Sequence, residues 1–147
     1  MPSLSAAELL SELGGAIGIP ELCMDAEGCC RLAFDGDWMV ELRHAPAQGR
    51  WLLSCSVHGV LVSGDGMQLL LRGNLAGSGF GGGWAAIDER GHAVLHLPLA
   101  DADASGSALV QATELLLDHA ERWRKRLAEG PSARRAQGPM DRWAQRI

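Results

Sequence analysis

Apolar residues first recur at helical spacing: Leu9, Leu13 and Ile17 lie one turn apart with Leu10 beside them, a stripe along one helix face. Ser5-Ala6-Ala7-Glu8 has capping-box spacing, so a first helix is expected to start there and to end at Gly18 and Pro20. From Gly28 the period drops to two. Cys30, Leu32 and Phe34 point one way and Cys29, Arg31 and Ala33 the other, the pattern of a half-buried strand. After the turn Asp35-Gly36-Asp37, Trp38, Val40 and Leu42 alternate with Met39, Glu41 and Arg43, which predicts a hairpin. His44 to Arg50 reads as a loop, and Trp51 to Leu61 as a third strand with Leu53, Cys55 and Val57 inward.

Ser63-Gly64-Asp65-Gly66 breaks the strand pattern, and the Leu-rich run Met67 to Leu75 is expected to be a second helix. A glycine cluster from Gly77 to Gly83 then reads as a flexible connector into a second hairpin, Trp84 to Asp88 and His92 to Leu97. Pro98 and Asp101 to Gly106 form a loop ahead of the last helix. There Leu109, Thr113, Leu116, Ala120, Trp123 and Leu127 make one continuous apolar seam. Two similar turns, Asp25-Ala26-Glu27-Gly28 and Asp88-Glu89-Arg90-Gly91, each stand just before a strand. The predicted fold is α+β in the order α-β-β-β-α-β-β-α, a twisted antiparallel sheet packed against helices. One domain is expected over 1–128, followed at 129–147 by a mobile basic tail with a weak turn near Trp143.

At 147 residues and 47% hydrophobic, the chain can bury a real core. Charge changes the picture more than composition does. Through Leu117 there are 14 acidic and 5 basic residues, a net −9; from Asp118 onward there are 4 and 8, a net +4. An acidic body argues against a nucleic-acid surface and for a basic partner or simple solubility. With no long apolar run and a start, Met1-Pro2-Ser3-Leu4-Ser5, unlike a signal peptide, the expectation is a cytoplasmic protein not inserted in a membrane. Four cysteines without C-x-x-C spacing fit reduced thiols rather than a disulfide framework or a zinc site.

Local chemistry is sparse. Gly77-Ser78-Gly79-Phe80-Gly81-Gly82 matches G-x-G-x-x-G, but it follows a helix and enters a strand, the reverse of a dinucleotide site. His92 and His96, four apart in a strand, are separated by about 13 Å, too far to share a metal ion. No nucleophile, zinc-protease or phosphate-loop motif occurs, so neither enzyme activity nor a metal or other cofactor is expected. What stands out is an apolar surplus, which either all belongs to the core or partly forms a dimer interface or client groove.

The order of elements, with Asp25-x-x-Gly28-Cys-x-x-Leu32, Leu69-Leu70-x-x-x-Asn74, Ala86-Ile87-Asp88-x-x-Gly91, Leu95-x-Leu97 and a last helix closing in Trp123 and Leu127, resembles the class I type III secretion chaperones of the Tir-chaperone family over roughly Leu4 to Leu127. The resemblance implies a bacterial homodimer linked to virulence. Such a dimer would bind the N-terminal chaperone-binding segment of a secreted effector, keep it non-globular and dock transiently on the secretion apparatus. It also implies client contact through the first helix and first sheet, with Leu9, Leu13, Leu32, Phe34, Val40 and Leu42 as candidates. Dimer contact would come from the second helix and the strand at Trp84, with Leu70, Leu71, Leu75, Trp84 and Ala86 as candidates. The basic C-terminal end and the glycine-heavy stretch depart from the family pattern. The competing reading is an immunity or regulatory protein of the same fold that caps one folded partner.

Overall fold

A computed structural model describes the backbone of residues 4–135 and the side chains of residues 4–129. Helix α1 (Ala6–Ile17) opens with the expected capping box: Ser5 Oγ accepts from the Glu8 N–H at 3.3 Å, and the Ser5 N–H donates to Glu8 Oε2 at 2.6 Å. Leu9, Leu10 and Leu13 are buried, and Gly18 ends the helix in the left-handed conformation. Five strands follow: β1 (Cys29–Phe34), β2 (Trp38–Ala45), β3 (Arg50–Val57), β4 (Trp84–Ile87) and β5 (Ala93–Ala100). They form one antiparallel sheet in the order β1-β2-β3-β5-β4. Helix α2 (Gly64–Gly73) connects β3 to β4, and α3 (Gly106–Arg135) follows β5.

The two Asp-x-x-Gly turns have one geometry. Asp25 Oδ1 accepts from the N–H groups of Glu27 and Cys29 at 2.9 and 3.0 Å. Asp88 Oδ1 accepts from Arg90 and His92 at 2.9 Å each. Gly28 and Gly91 take positive φ, which a side chain would oppose. The first turn thus sets the first residue of β1, and the second the residue just before β5.

Period-two alternation sorts the sheet into two faces. Leu32, Val40, Leu42, Leu53, Cys55, Val57, Ala93 and Leu95 point to the inner face, where they merge with α1 and the α3 seam into one core. The seam residues Leu109, Thr113, Leu116, Ala120 and Trp123 are all buried. The register aligns Arg31, Glu41, Ser54, His96 and Trp84 as one rung of the opposite, open face. Side chains also tie α3 in place: Gly106 N–H donates to Glu12 Oε2 of α1 at 3.0 Å, and Arg124 lies 4.5 Å from the Trp38 ring centre.

Several boundaries differ from the sequence reading. β5 runs through Pro98 to Ala100 and β2 through His44 to Ala45, where the sequence suggested loops, because both pair with β3 from its first residue, Arg50. β3 stops at Val57 rather than Leu61, because Gly59 turns the chain out of the sheet and Val62 then bonds Gly91 O. α2 starts at Gly64 and ends at Gly73, since Ser63 caps it by accepting from Gly66 N–H at 3.2 Å. α3 continues as helix to Arg135, past the expected boundary at 128. The rest of the expected tail, with the turn near Trp143, lies outside the described residues.

The glycine stretch is packed rather than flexible. Trp123 Nε1 donates to Gly79 O at 3.0 Å, and its ring stacks on Phe80 with centres 4.8 Å apart. A Cβ on Gly73 would come within 2.8 Å of the Phe80 ring and 2.9 Å of Trp123, and one on Gly79 within 2.8 Å of Gly73 Cα. Glycine here answers to close approach of backbone and aromatic rings, and the G-x-G-x-x-G spacing is a by-product of that packing.

Candidate functional site

Two apolar hollows lie on different sides of the molecule. The first, about 220 Å³, is bounded by Leu13 and Ile17 of α1, Leu32 and Phe34 of β1, and Val110, Thr113, Glu114 and Leu117 of α3. It is smaller than the roughly 300 Å³ at which small-molecule sites begin, and so suits individual side chains of a bound segment. It adjoins β1, the edge of the sheet on which no further strand pairs among the described residues. An open edge offers backbone N–H and C=O groups, and the adjoining hollow offers an apolar floor.

The second hollow, about 300 Å³, is bounded by Met67, Leu70, Leu71 and Asn74 of α2 and by Ala85, Ala86 and Ile87 of β4. Exposed apolar side chains cluster here: Met67 is 44%, Leu71 69% and Ile87 40% exposed. The Asn74 side chain holds α2 to this edge by donating to Ala85 O at 3.0 Å and accepting from Ala85 N–H at 2.7 Å. Both outward backbone groups of Ala85 are thereby satisfied, in the middle of the four-residue β4; Asp25 does the same for Cys29 at the start of the six-residue β1, so β1 beyond Cys29 is the longer open edge.

The predicted client-contact residues divide. Leu13, Leu32 and Phe34 line the first hollow, Leu13 and Leu32 buried in its floor and Phe34 half-buried. Val40 and Leu42 do not: at 0% exposure they sit on the inner face of β2, with β1 and β3 on either side, and offer no surface. Leu9 also belongs to the core, touching only a small polar recess where His44 Nε2 lies 3.1 Å from Asp101 Oδ1. Alternation told inward from outward but not whether a helix covers the inward face. Ile17, Val110 and Leu117 complete the apolar lining of the hollow and were not among the candidates. Val110, Thr113 and Leu117 form a second stripe on α3 beside the main seam, at spacings of three and four that were legible.

Of the dimer candidates, Leu70 and Leu71 line the second hollow with Ala86, while Leu75 is 76% exposed just beyond α2. Trp84 turns instead to the open face, its ring 5.5 Å from that of His96 and with Arg50 Cζ 5.6 Å from its centre. Met67 and Ile87 also line the second hollow and were not among the candidates.

Several polar groups elsewhere are tied to structure. On the open face Arg31 bridges Asp25 at 2.7 Å and Glu41 at 3.1 Å, and Arg43 reaches Glu41 at 3.3 Å. His96 Nδ1 lies 2.7 Å from Ser54 Oγ, and burial pushes its pKa down. His92 belongs to the Asp88 turn, so the two histidines do not converge. Among the described residues no three His, Cys, Asp or Glu side chains are grouped to hold a metal ion, and no helix is long and apolar enough to cross a membrane.

Residues 8–124 match the family model of the Tir chaperone protein (CesT) family. The chain is 31% identical over 126 residues to the transcriptional anti-antiactivator ExsC of Pseudomonas aeruginosa, covering 81% of this chain and 83% of that protein. The crystal structure of the ExsC-ExsE complex superposes with a TM-score of 0.72 at 31% identity, over 82% of this chain and 92% of that one. The Yersinia pestis type III secretion chaperone SycH, solved with a fragment of YscM2, shares the fold at 24% identity. Its TM-score is 0.69, over 81% of this chain and 99% of that one. With the helix-strand order, the sheet and the matched span agreeing, the chain belongs to the Tir chaperone protein (CesT) family of class I type III secretion chaperones.

Proposed function

We propose that the protein acts in the bacterial cytoplasm as a homodimer that captures the N-terminal chaperone-binding segment of a secreted effector. The observation that carries this reading is the apolar hollow of Leu13, Ile17, Leu32 and Phe34 beside the unpaired edge of β1. An extended segment laid along that edge gains main-chain hydrogen bonds, and its alternate side chains enter the hollow. While so bound it stays out of its own fold, ready for the secretion apparatus. The work is done by surface alone, without a reaction and without a nucleotide.

Dimerisation fits the second hollow. Met67, Leu71 and Ile87 leave apolar area in water that a second copy would cover, and a two-fold axis would bring the same patch to itself. Leu71 is well exposed in the single chain, so Leu71→Asp leaves the monomer fold intact but places an unpaired charge in the joint. Sedimentation should then give half the wild-type mass; an unchanged dimer mass would show that α2 lies elsewhere.

Co-expression with the N-terminal segment of a neighbouring secreted protein tests the capture itself. Stable co-purification is expected, and its loss in Phe34→Asp locates the segment. A regulatory reading is favoured by one observation, the 31% identity to a transcriptional anti-antiactivator. Deleting the gene separates the two. A chaperone's loss lowers secretion of its client at unchanged transcript level, whereas a regulator's loss changes the transcripts.

A further inference from the structure

We propose that the segment held in the first hollow is basic as well as apolar, with arginine or lysine side chains reaching the carboxylates along its α3 wall. This inference rests on the reading of that hollow as the client site, and it adds the client's chemistry. Glu114 is the one charged residue lining the hollow, and Asp118 follows one turn later on the same face of α3. Phe34 leads straight into the turn that carries Asp35 and Asp37. None of these four carboxylates has a hydrogen-bond or ion-pair partner among the described side chains.

The walls supply no positive charge of their own. No lysine or arginine occurs before Arg31, so α1 carries only Glu8 and Glu12; α3 has none from Gly106 to Glu121. Two nearby cations are engaged elsewhere, and Arg122, one turn beyond Asp118 on α3, lies outside the lining of the hollow. Arg31 is on the open face between Asp25 and Glu41, and Arg124 lies against Trp38. Glu8 and Glu12 are themselves spent on the helix starts, bonding Ser5 N–H and Gly106 N–H. An apolar floor with the unpaired Glu114 on its wall, and Asp118, Asp35 and Asp37 close to that lining along the chain, would repel an acidic amphipathic segment and steer a basic one in.

The test uses the full-length protein and three synthetic peptides with one pattern of alternating leucines, their intervening positions filled by arginine, glutamine or glutamate. Binding is read by fluorescence anisotropy at about 50 and about 300 mM salt, where screening lengths differ enough to expose a charge effect. The arginine peptide should bind roughly tenfold tighter than the glutamate one at low salt, and the gap should shrink at high salt. Glu114→Gln, a change at an exposed position, should cut the preference for arginine over glutamine by roughly threefold. Phe34→Asp should weaken all three. Equal affinities that Phe34→Asp abolishes would overturn the basic-client inference while leaving the hollow as the client site. Binding untouched by Phe34→Asp, or no binding by any peptide, would overturn both.

Discussion

Asp25 and Asp88 each use one carboxylate oxygen to gather two backbone N–H groups at the start of a strand. Those hydrogen bonds are the leading reason that both carboxyls titrate below their ordinary value of 3.8. A depressed folded pKa gives stability that is present above the unfolded value and is lost as pH falls through the folded one. Asp88→Asn keeps an accepting oxygen but no titration, so its unfolding midpoint should fall less steeply than wild type below about pH 4. Equal acid limbs in the two proteins would contradict the assignment. The cysteines sort as sharply. Burial pushes the Cys29, Cys30 and Cys55 thiols up, that of Cys55 to about 12, while Cys23 is exposed. A thiol reagent at mild alkaline pH should therefore modify one cysteine quickly and the other three only on unfolding.

Among the elements, the junction of α2, the glycine turn and α3 carries the most constraint in the fewest residues. Gly73→Ala would drive a methyl group into the Phe80 and Trp123 rings, and thermal or urea unfolding should register a loss of about 1–3 kcal/mol. A neutral result would mean that the stacked pair can retreat. This junction also marks where sequence reading stopped. Period-two runs located β1, β2, β4 and β5, and the Leu109 seam located α3, because their spacings are local. The role of Gly73 and Gly79 was invisible, since it depends on Trp123 folding back from some 44 to 50 positions away. The same limit governs the client residues. Leu32 and Leu42 look alike in an alternating strand, and only the placement of α1 and α3 leaves one beside a hollow and the other under the core.

At the level of the whole molecule, the sheet has two unequal edges. β4 is fastened by Asn74 and flanked by exposed apolar side chains of α2, which suits a second copy. The outer edge of β1 is unpaired and bordered by the apolar hollow with Glu114 on its wall, which suits a passing segment of another chain. Under the proposed function the two jobs fall on opposite ends of one sheet, so that a dimer would present two client edges rather than bury them. Hydrogen–deuterium exchange on the protein alone and bound to the N-terminal segment of its client tests this most directly. New protection is expected in β1 (Cys29–Phe34) and in the turns of α1 and α3 around Ile17 and Glu114, with β4 unchanged. Protection confined to the open face around Ser54 and His96, or to β4, would contradict it.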